Sequence, residues 1–343
     1  MGRVRTSTIG KYATYPMNSG ESGGVSPRIF QKRFGNTEAQ RKQRNFQISA
    51  SSVPLCFRNG PQMNPPMEIS PTEIEEGIQQ AAELIRTADA LLIGAGAGMG
   101  VDSGLPDFRG NEGFWKAYPP FKGRIFAEMS NPTWFRRDPE LAWGFFGHRM
   151  HLYRDAVPHA GYHILKRWID ASRVGGFVFT SNVDGQFEKA GFETSLLMEC
   201  HGSIHRLQCV TPCDELVWPS GDLHVTVDLE TIRSLSPLPT CPGCGGVARP
   251  NILMFGDGDW LECETAAQAE RFDQWMISAQ RGRIVAIECG AGLAIPTVRH
   301  VCERMAQRLI RINPRDFQTP AHGIGIPLGA AEALQRIDEL LLQ

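Results

Sequence analysis

The chain contains no apolar run of about 18 residues, the length at which a segment becomes a candidate to cross a bilayer. It also lacks the basic start followed by an apolar stretch that marks a secretory signal peptide. We therefore expect a cytoplasmic protein that does not enter a membrane. Neither basic nor acidic side chains are in large excess. With 35 basic and 37 acidic side chains the net charge is −2, so no specific nucleic-acid partner is expected.

That balance hides an asymmetry between the N-terminal segment and the rest of the chain. Residues 1–60 hold ten Lys and Arg against two acids, so the remainder carries 25 basic and 35 acidic side chains. Residues 1–66 are also rich in Ser, Gly and Asn without periodicity, which predicts a disordered basic tail. An Arg-rich, acid-poor segment is alternatively typical of an organelle transit peptide, and a later start at Met63 or Met67 is a third interpretation.

Ordered structure is predicted from Ser70 onward. Ser-Pro-Thr-Glu at 70–73 is a capping box with proline at the first helical position, and apolar residues follow at helical spacing. Short apolar runs then alternate with helical stretches, and each run ends in a polar or glycine-bearing loop. These runs begin at Ala90, Gly176, Leu196, Ile284 and Leu309. The pattern predicts an α/β protein with a Rossmann-like, doubly wound parallel sheet that binds its ligand at the carboxyl ends of the strands.

Two cysteine pairs interrupt this pattern and enclose a stretch that is poor in apolar residues. The pairs are Cys209 with Cys213 and Cys241 with Cys244. Four thiolates suffice for tetrahedral zinc and leave no coordination position for water, so we predict one structural Zn²⁺. The expected division is a small zinc module at about residues 203–250, inserted into a catalytic domain of residues 67–343. The Rossmann-like parts of that domain are then residues 70–202 and 251–343.

Glycines follow the first predicted strand, in the run GAGAGMGVDSGLPDFRG from 94 to 110. A hydride-transferring Rossmann enzyme requires Gly-x-Gly-x-x-Gly. Here Gly94-x-Gly96 leads to Met99 and Gly96-x-Gly98 leads to Val101, which disfavours a dehydrogenase. Glycines after a strand still allow backbone amides to approach a diphosphate closely.

Polar side chains follow two further predicted strands. Asn182 and Asp184 lie in TSNVDG, where the alternatives are an Asx-rich turn or an amide and a carboxylate that orient a ligand. His201 lies in ECHGSIH at the end of another strand, where a neutral imidazole can act as a general base. We favour the catalytic interpretation of His201 because the other polar loops converge on the same edge of the sheet.

Together these residues resemble the sirtuin family of NAD-dependent protein deacylases, over roughly residues 70–343. The family motif is GAG-x-S-x-x-S-G-I-P-D-F-R, and this chain has GAGMGVDSGLPDFR at the corresponding place, starting at Gly96. Its P-N-x-A-H, T-Q-N-I-D-G and R-P-x-V-V-x-F-G-E correspond to PHAGYH, TSNVDG and RPNILMFGD. Its His-Gly, eight residues before the first zinc cysteine, corresponds to His201 and Gly202. The motifs occur in the family's order.

The resemblance implies a deacylase that cleaves NAD to nicotinamide and acyl-ADP-ribose, with an acylated-lysine protein or peptide as substrate entering near Phe255-Gly256-Asp257. It implies that the acyl oxygen displaces nicotinamide, that His201 acts as base, and that Asn182 and Asp184 border the nicotinamide pocket. The cofactor-binding residues that it implies are Gly96, Ala97, Gly98, Asp107, Phe108, Arg109, Ser181, Asn182, Asp184, Gly290 and Asn313.

The chain also departs from the family pattern. The family serine at position 100 is glycine here, which removes a hydroxyl expected near the diphosphate, and the acid two residues after Asn313 is Arg315. The family's Gly-Thr-Ser loop is Gly290-Ala291-Gly292, the Gln of T-Q-N is Ser181, and the Glu of F-G-E is Asp257. Two alternatives to a deacylase therefore stay open. One is a protein ADP-ribosyltransferase or NAD glycohydrolase, and the other is a weakly catalytic zinc-bearing binding module.

Overall fold

The computed structural model describes residues 69–106, 114 and 116–343. The predictions for the tail of residues 1–66 and for Asp107, Phe108 and Arg109 fall outside these described residues. The described residues belong to one compact unit that extends from Pro66 to Gln343.

Strands alternate with helices in part of the described chain, but helices follow one another between the first two strands, and six strands follow one another from Leu197 to Ile252. In chain order the strands are β1 (Ala90–Ala95), β2 (Gly176–Thr180), β3 (Leu197–Glu199), β4 (Gly202–Cys209), β5 (Val217–Pro219), β6 (Val227–Asp228), β7 (Arg233–Ser234), β8 (Ala248–Ile252), β9 (Ile284–Cys289), β10 (Arg308–Ile312) and β11 (Gly323–Ile326). The helices are α1 (Pro71–Arg86), α2 (Phe126–Met129), α3 (Trp134–Arg137), α4 (Pro139–Asp155), α5 (Ala160–Ala171), α6 (Gln186–Lys189), α7 (Cys263–Ala279), α8 (Thr297–Met305) and α9 (Ala330–Leu341).

Six of the strands form one parallel sheet in the order β3-β2-β1-β9-β10-β11. One face packs against α1, α5 and α9, and the other face packs against α7 and α8. The predicted doubly wound parallel sheet is therefore confirmed. Chain order reverses between β1 and β9, which places the topological switch point there. The capping box is also confirmed, since Ser70 and Glu73 hydrogen-bond to each other's backbone N–H.

The cysteine-bearing insertion has its own antiparallel sheet, ordered β5-β4-β8, and a two-stranded hairpin of β6 and β7. It packs on α4 rather than standing alone. Trp143 in α4 donates its indole N–H to the Ala248 carbonyl at 2.8 Å, and a Cβ at Gly147 would lie 2.7 Å from the Val225 Cβ. Insertion and helix thus share a second hydrophobic core. The boundaries predicted for the zinc module stay a prediction.

Candidate active site and metal centre

Two glycine-bearing loops meet at the carboxyl edge of the sheet, one after β1 and one after β9. Gly96 and Gly98 donate their N–H groups to the carbonyls of Cys289 and Gly290, each at 3.0 Å. A Cβ at Gly96 would come within 2.6 Å of the Ala291 Cα, and Gly290 has a φ of +64°. Glycine is therefore required where these two backbones touch. The contact lies at the switch point, where nucleotides bind in sheets of this kind.

This contact changes the interpretation of the glycine run. The amides of Gly96 and Gly98, which we expected at a diphosphate, are hydrogen-bonded to the second loop. The chain then continues as a 3₁₀ helix, Ala97–Ser103, and Ala97 is exposed. The close approach that these glycines allow is thus an approach between two loops. Contact of this motif with a cofactor stays a prediction. Because the Gly96 and Gly98 amides are engaged, such a contact has to come from Ala97 and from the outer surface of the loops after β1 and β9.

The loop after β2 holds the glycine run from its other side. Thr180 Oγ1 donates to the Ala95 carbonyl at 3.0 Å, and Asn182 Nδ2 donates to the Gly96 carbonyl at 3.0 Å. The Ser181 N–H also donates to the Ala95 carbonyl, at 3.1 Å. Asn182 is only 8% exposed, so these protein contacts and not solvent fix its amide. The structure therefore brings Ser181 and Asn182 against the glycine run.

Asp184 follows two residues later with a buried carboxyl. Burial raises the pKa of this carboxyl to about 6, while the N–H of Gln186 and the nearby Arg149 guanidinium lower it less. Gly100 lies opposite, since a Cβ there would be 3.7 Å from Asp184 Oδ2 and 3.1 Å from Leu105 Cδ1. A serine at position 100 would thus place its Cβ beside the Asp184 carboxylate. Our expectation that the missing hydroxyl lies near the diphosphate stays a prediction.

His201 lies in the turn between β3 and β4. Its carbonyl accepts the Leu253 N–H at 2.9 Å, which ties the turn to the chain that leaves β8. Burial lowers the pKa of the imidazole below its ordinary value of 6.5, while a hydrogen bond with the Ser181 backbone acts in the opposite direction. The ring is therefore neutral at pH 7 and can accept a proton, as a general base must.

A narrow pocket without room for a water molecule lies at the ends of β2 and β3, and His201 is not among the residues that line it. Thr180, Asn182, Asp184, Gln186 and Glu199 all line it. Burial is the main reason that the pKa of Glu199 rises to about 8, and the nearby carboxylates of Glu188 and Asp184 add to the effect. Sequence reasoning gave Glu199 no role, although a carboxylate at the end of a buried parallel strand was a usable signal.

His205 contacts the loop that carries Asp184. The pairing of β4 with β8 shifts register between Ser203 and Leu207, and His205 lies in that irregular stretch. Its Nε2 lies 3.0 Å from the Asp184 carbonyl, and the ring packs against Gly185, whose φ is +70°. The side chain therefore shapes the turn that carries Asp184.

Asn313 lies at the carboxyl end of β10 and is fully buried. Its Nδ2 donates to the Ala291 carbonyl at 2.9 Å, and its Oδ1 accepts the N–H groups of Arg315 and Asp316. Asn313 thus joins the loop after β10 to the loop after β9. Its predicted contact with the adenosine ribose is untested, but it lies beside the predicted Gly290.

The expected substrate entrance is built around a buried ion pair. Arg249 and Asp257 are both inaccessible to solvent, and the guanidinium donates to both carboxylate oxygens at 2.7 and 2.9 Å. Asp257 also accepts the N–H groups of Met254 and Asp259. Phe255, by contrast, is 40% exposed. The buried Asp257 carboxylate therefore stabilises the loop, and the exposed Phe255 ring is the side chain that a substrate can contact.

The four predicted metal-ligating cysteines converge at one end of the insertion. Their sulfurs all lie within 4.8 Å of one another. Cys209 and Cys244 are 3.7 Å apart, as are Cys213 and Cys241. Tetrahedral zinc with Zn–S bonds of about 2.3 Å places its sulfurs about 3.8 Å apart. The donor set therefore fits one zinc ion.

Comparison with known proteins adds to this geometry. The family model described as the Sir2 family matches residues 96–278, which is more than half of the chain. The chain belongs to the Sir2 family. A protein from Aeropyrum pernix named NAD-dependent protein deacylase is 30% identical over 212 residues, covering 61% of this chain and 78% of the relative. One of the same name from Thermococcus kodakarensis is 29% identical, covering 77% of this chain and 96% of the relative.

Solved structures support the same fold for this Sir2 protein. A Sir2 protein bound to acetylated peptide superimposes with a TM-score of 0.56 at 20% identity, covering 77% of this chain and 98% of that one. A Sir2 homologue in complex with NAD superimposes with a TM-score of 0.54 at 22% identity, covering 81% and 98%. At these identities the likeness shows the Sir2 fold alone.

Within the described residues, no helix is both long and apolar enough to cross a bilayer. The predicted cytoplasmic location and the predicted lack of a nucleic-acid partner stay predictions.

Proposed function

We propose that this Sir2 protein is an NAD-dependent protein-lysine deacylase, with an acylated-lysine protein or peptide as substrate. The observation that carries the proposal is that Asn182 and Asp184 lie against the glycine run at the switch point, while a neutral His201 is hydrogen-bonded to the backbone of the adjacent Ser181. The curated relatives named deacylases and the relative solved with an acetylated peptide support the same chemistry.

NAD supplies a ribose whose bond to a cationic nicotinamide breaks when an acyl oxygen attacks. Such a leaving group needs no acid, so the protein's tasks are to hold the ribose and to screen the cationic carbon. We assign the first task to the backbone-fixed amide of Asn182 and the second to the buried carboxyl of Asp184. His201 takes a proton from the ribose hydroxyl that next attacks, and its lowered pKa suits this role at neutral pH.

Phe255 sits at the proposed entrance for the acyl-lysine. Its N–H donates to the Ser130 carbonyl at 3.0 Å, and its ring meets Phe126 edge-on with centroids 6.3 Å apart. Gly256 follows with a φ of +69°, which turns the chain back towards Asp257. The half-exposed ring thus offers an apolar wall to the lysine side chain, while the buried Arg249–Asp257 pair holds the loop in place.

We also propose one structural zinc held by the four cysteines, because their spacing fits tetrahedral thiolate coordination. Cys241→Ser should reduce the zinc content from about one per chain to near zero and should lower the melting temperature, since the insertion shares its core with α4. The exposed Cys263→Ser is the matched control. Well-folded wild-type protein without zinc would overturn this assignment.

The function is tested by incubating purified protein with NAD and a panel of acyl-lysine peptides, while nicotinamide, deacylated peptide and acyl-ADP-ribose are followed. We expect all three products in equal amounts with at least one acyl group. Nicotinamide release without peptide deacylation would instead indicate ADP-ribosyl transfer or NAD hydrolysis. No nicotinamide under any condition would indicate a binding module.

A further inference from the structure

One stretch of the insertion, residues 220–226, packs along the C-terminal half of α4, and we call it the α4-contact segment. Arg154 of α4 donates from Nη1 to the Leu223 carbonyl at 2.5 Å and from Nη2 to Ser220 Oγ at 2.9 Å. Val225, on the same segment, is fully buried against α4. The segment is therefore held by a guanidinium, which does not titrate near neutral pH, and by one buried apolar side chain.

A further hydrogen bond from this segment ends on a histidine of α4. The Val225 N–H donates to His151 Nε2 at 3.3 Å. The His151 ring also stacks on the His224 ring, with centroids 4.3 Å apart and planes inclined by 12°. An imidazole accepts a hydrogen bond only at an unprotonated nitrogen, and an imidazolium has none. The contact therefore requires that His151 is neutral.

The surroundings of His151 oppose its protonation. Burial of the ring is the main reason that its pKa lies below the ordinary value of 6.5. The titratable and charged side chains that act on the ring are His148, Arg154 and Asp155 on α4, and His224 on the segment. All of them except Asp155 lower the pKa further. Asp222, the one other charged residue of the segment, acts on Arg154 and offsets part of its charge. The His151 ring is therefore neutral at pH 7.

We propose that His151 and His224 form a pH-sensitive switch, which holds the α4-contact segment on α4 at neutral pH and loosens it when His151 takes up a proton. A proton on Nε2 removes the acceptor of the Val225 N–H and places a cation against the His224 ring and near the Arg154 guanidinium. An unpaired buried donor and adjacent like charges both cost free energy, so the protonated state favours separation.

The direction of the response follows from the lowered pKa of His151. A histidine that binds its proton less readily in the packed state contributes stability above its ordinary pKa and loses it as the pH falls. The contact is therefore complete above about pH 6.5 and weakens on acidification.

The segment is anchored at both ends by bonds that do not depend on pH. The Ser220 N–H donates to the His205 carbonyl at 2.7 Å, and the Thr226 N–H donates to Ser236 Oγ at 2.8 Å. Acidification should therefore loosen the residues between these two anchors and leave the rest of the insertion folded. The switch is separate from the proposed chemistry at Asp184 and His201.

The test is hydrogen exchange of the full chain at pH 7.5 and pH 5.5, read by mass spectrometry and corrected for the intrinsic pH dependence of exchange. At pH 5.5 the protection of residues 220–226 should fall by about threefold to tenfold. Residues 239–248, which include two of the predicted metal-ligating cysteines, should keep their protection, and the zinc content measured on the same samples should not change.

Three variants assign the response. His151→Gln keeps an acceptor for the Val225 N–H but takes up no proton, so its protection should be the same at both pH values. His224→Gln leaves His151 in place without a second imidazole beside it, so the loss at pH 5.5 should be smaller than in the wild type. His300→Gln is the matched control, because it changes an exposed histidine of α8 and should lose protection as the wild type does.

Equal protection of residues 220–226 at both pH values in the wild type would overturn the proposal. So would a loss in His151→Gln as large as that of the wild type. Zinc release at pH 5.5 together with a loss of protection that extends to residues 239–248 would assign the response to the cysteines and would also overturn it. A loss confined to residues 220–226 and absent in His151→Gln would support the switch, and none of these results depends on NAD or on deacylation.

Discussion

Two sets of buried charged side chains in this protein lie in opposite environments. Arg249 and Asp257 are fully buried and neutralise each other through two hydrogen bonds. Asp184 and Glu199 are also buried, but they line a cavity with amide and hydroxyl side chains, and their pKa values rise to about 6 and about 8. Paired buried charges hold loops in place, whereas buried groups that titrate near neutrality are typical of functional sites.

The difference follows from where each set sits in the fold. The Arg249–Asp257 pair spans one tight loop after β8, where the carboxylate also receives two backbone N–H groups. Asp184 follows β2 and Glu199 is the last residue of the neighbouring parallel strand β3, and the carboxyl ends of these strands meet at one edge. The Asp257 carboxylate finds its hydrogen-bond partners in β8 and in the loop that follows this strand. The second set lines one narrow pocket together with the side chains of Thr180, Asn182 and Gln186.

The largest effect should come from breaking the paired set. Arg249→Met leaves the Asp257 carboxylate buried without its cation, which should lower the free energy of unfolding by about 3–5 kcal/mol in urea denaturation at pH 7. The matched control is Arg233→Met, because Arg233 pairs with Asp138 and Glu140 near the surface, where solvent screens the charges, and its loss should matter much less. Equal, small losses would contradict the structural role of the buried pair.

Neutralising the titrating set should change the pH dependence of stability. The folded protein keeps the Glu199 proton up to about pH 8, whereas the unfolded chain releases it near 4.5. Stability from this group is therefore complete below about pH 4.5. It is lost as the pH rises, by on the order of 1 kcal/mol per pH unit in that window.

Glu199→Gln removes this titration, so its unfolding free energy should fall less steeply between pH 5 and pH 8 than that of the wild type. Urea denaturation at several pH values measures the slope. Glu193→Gln changes an exposed carboxylate on the same stretch of chain that does not act on Glu199, and should leave the slope as it is. Parallel curves for the wild type and Glu199→Gln would contradict the assigned protonation.

A smaller effect is expected from adding a hydrogen-bond donor beside the Asp184 carboxyl, whose pKa should then fall. Gly100→Ser places a hydroxyl-bearing Cβ beside the carboxylate, which should lower its pKa from about 6 by less than about one unit. If ionised Asp184 is required, activity falls as the pH drops through its pKa. The acid limb of kcat/KM should then move to lower pH. Gly100→Ala adds the same Cβ, with the same crowding by Leu105, but no donor. Identical shifts in both variants would show that packing, not the hydroxyl, is responsible.

The sheet was predictable because its strands are short apolar runs that end in polar loops. The position of Asn182 and His201 after two strands was predictable for the same reason, whereas their roles in a site stay predictions. β11 was not predicted, because its sequence GIGI contains two glycines and lacks an apolar run. The packing of α4 on the insertion was also missed, since α4 is apolar on several faces and its partner lies far along the chain.

What the sequence could not reveal was which polar groups are already satisfied. The glycine motif suggested amides directed at a ligand, but Gly96 and Gly98 donate to a loop almost 200 residues later in the chain. The resemblance implied that substrate enters near Phe255-Gly256-Asp257, but it did not reveal that the Asp257 carboxylate there is paired with Arg249. Such pairings depend on three-dimensional neighbours, which spacing along the chain does not encode. The family resemblance, by contrast, was confirmed because ordered motifs do not depend on those pairings.

The central claim is that His201 acts as a base in NAD-dependent deacylation rather than as a structural residue. The most direct test measures peptide deacylation and NAD affinity on the same preparation of His201→Ala, with the exposed His300→Ala as control. The account predicts that deacylation is abolished while the dissociation constant for NAD stays within about threefold of the wild type. Loss of NAD binding to the same extent as activity, or full deacylation by His201→Ala, would contradict it.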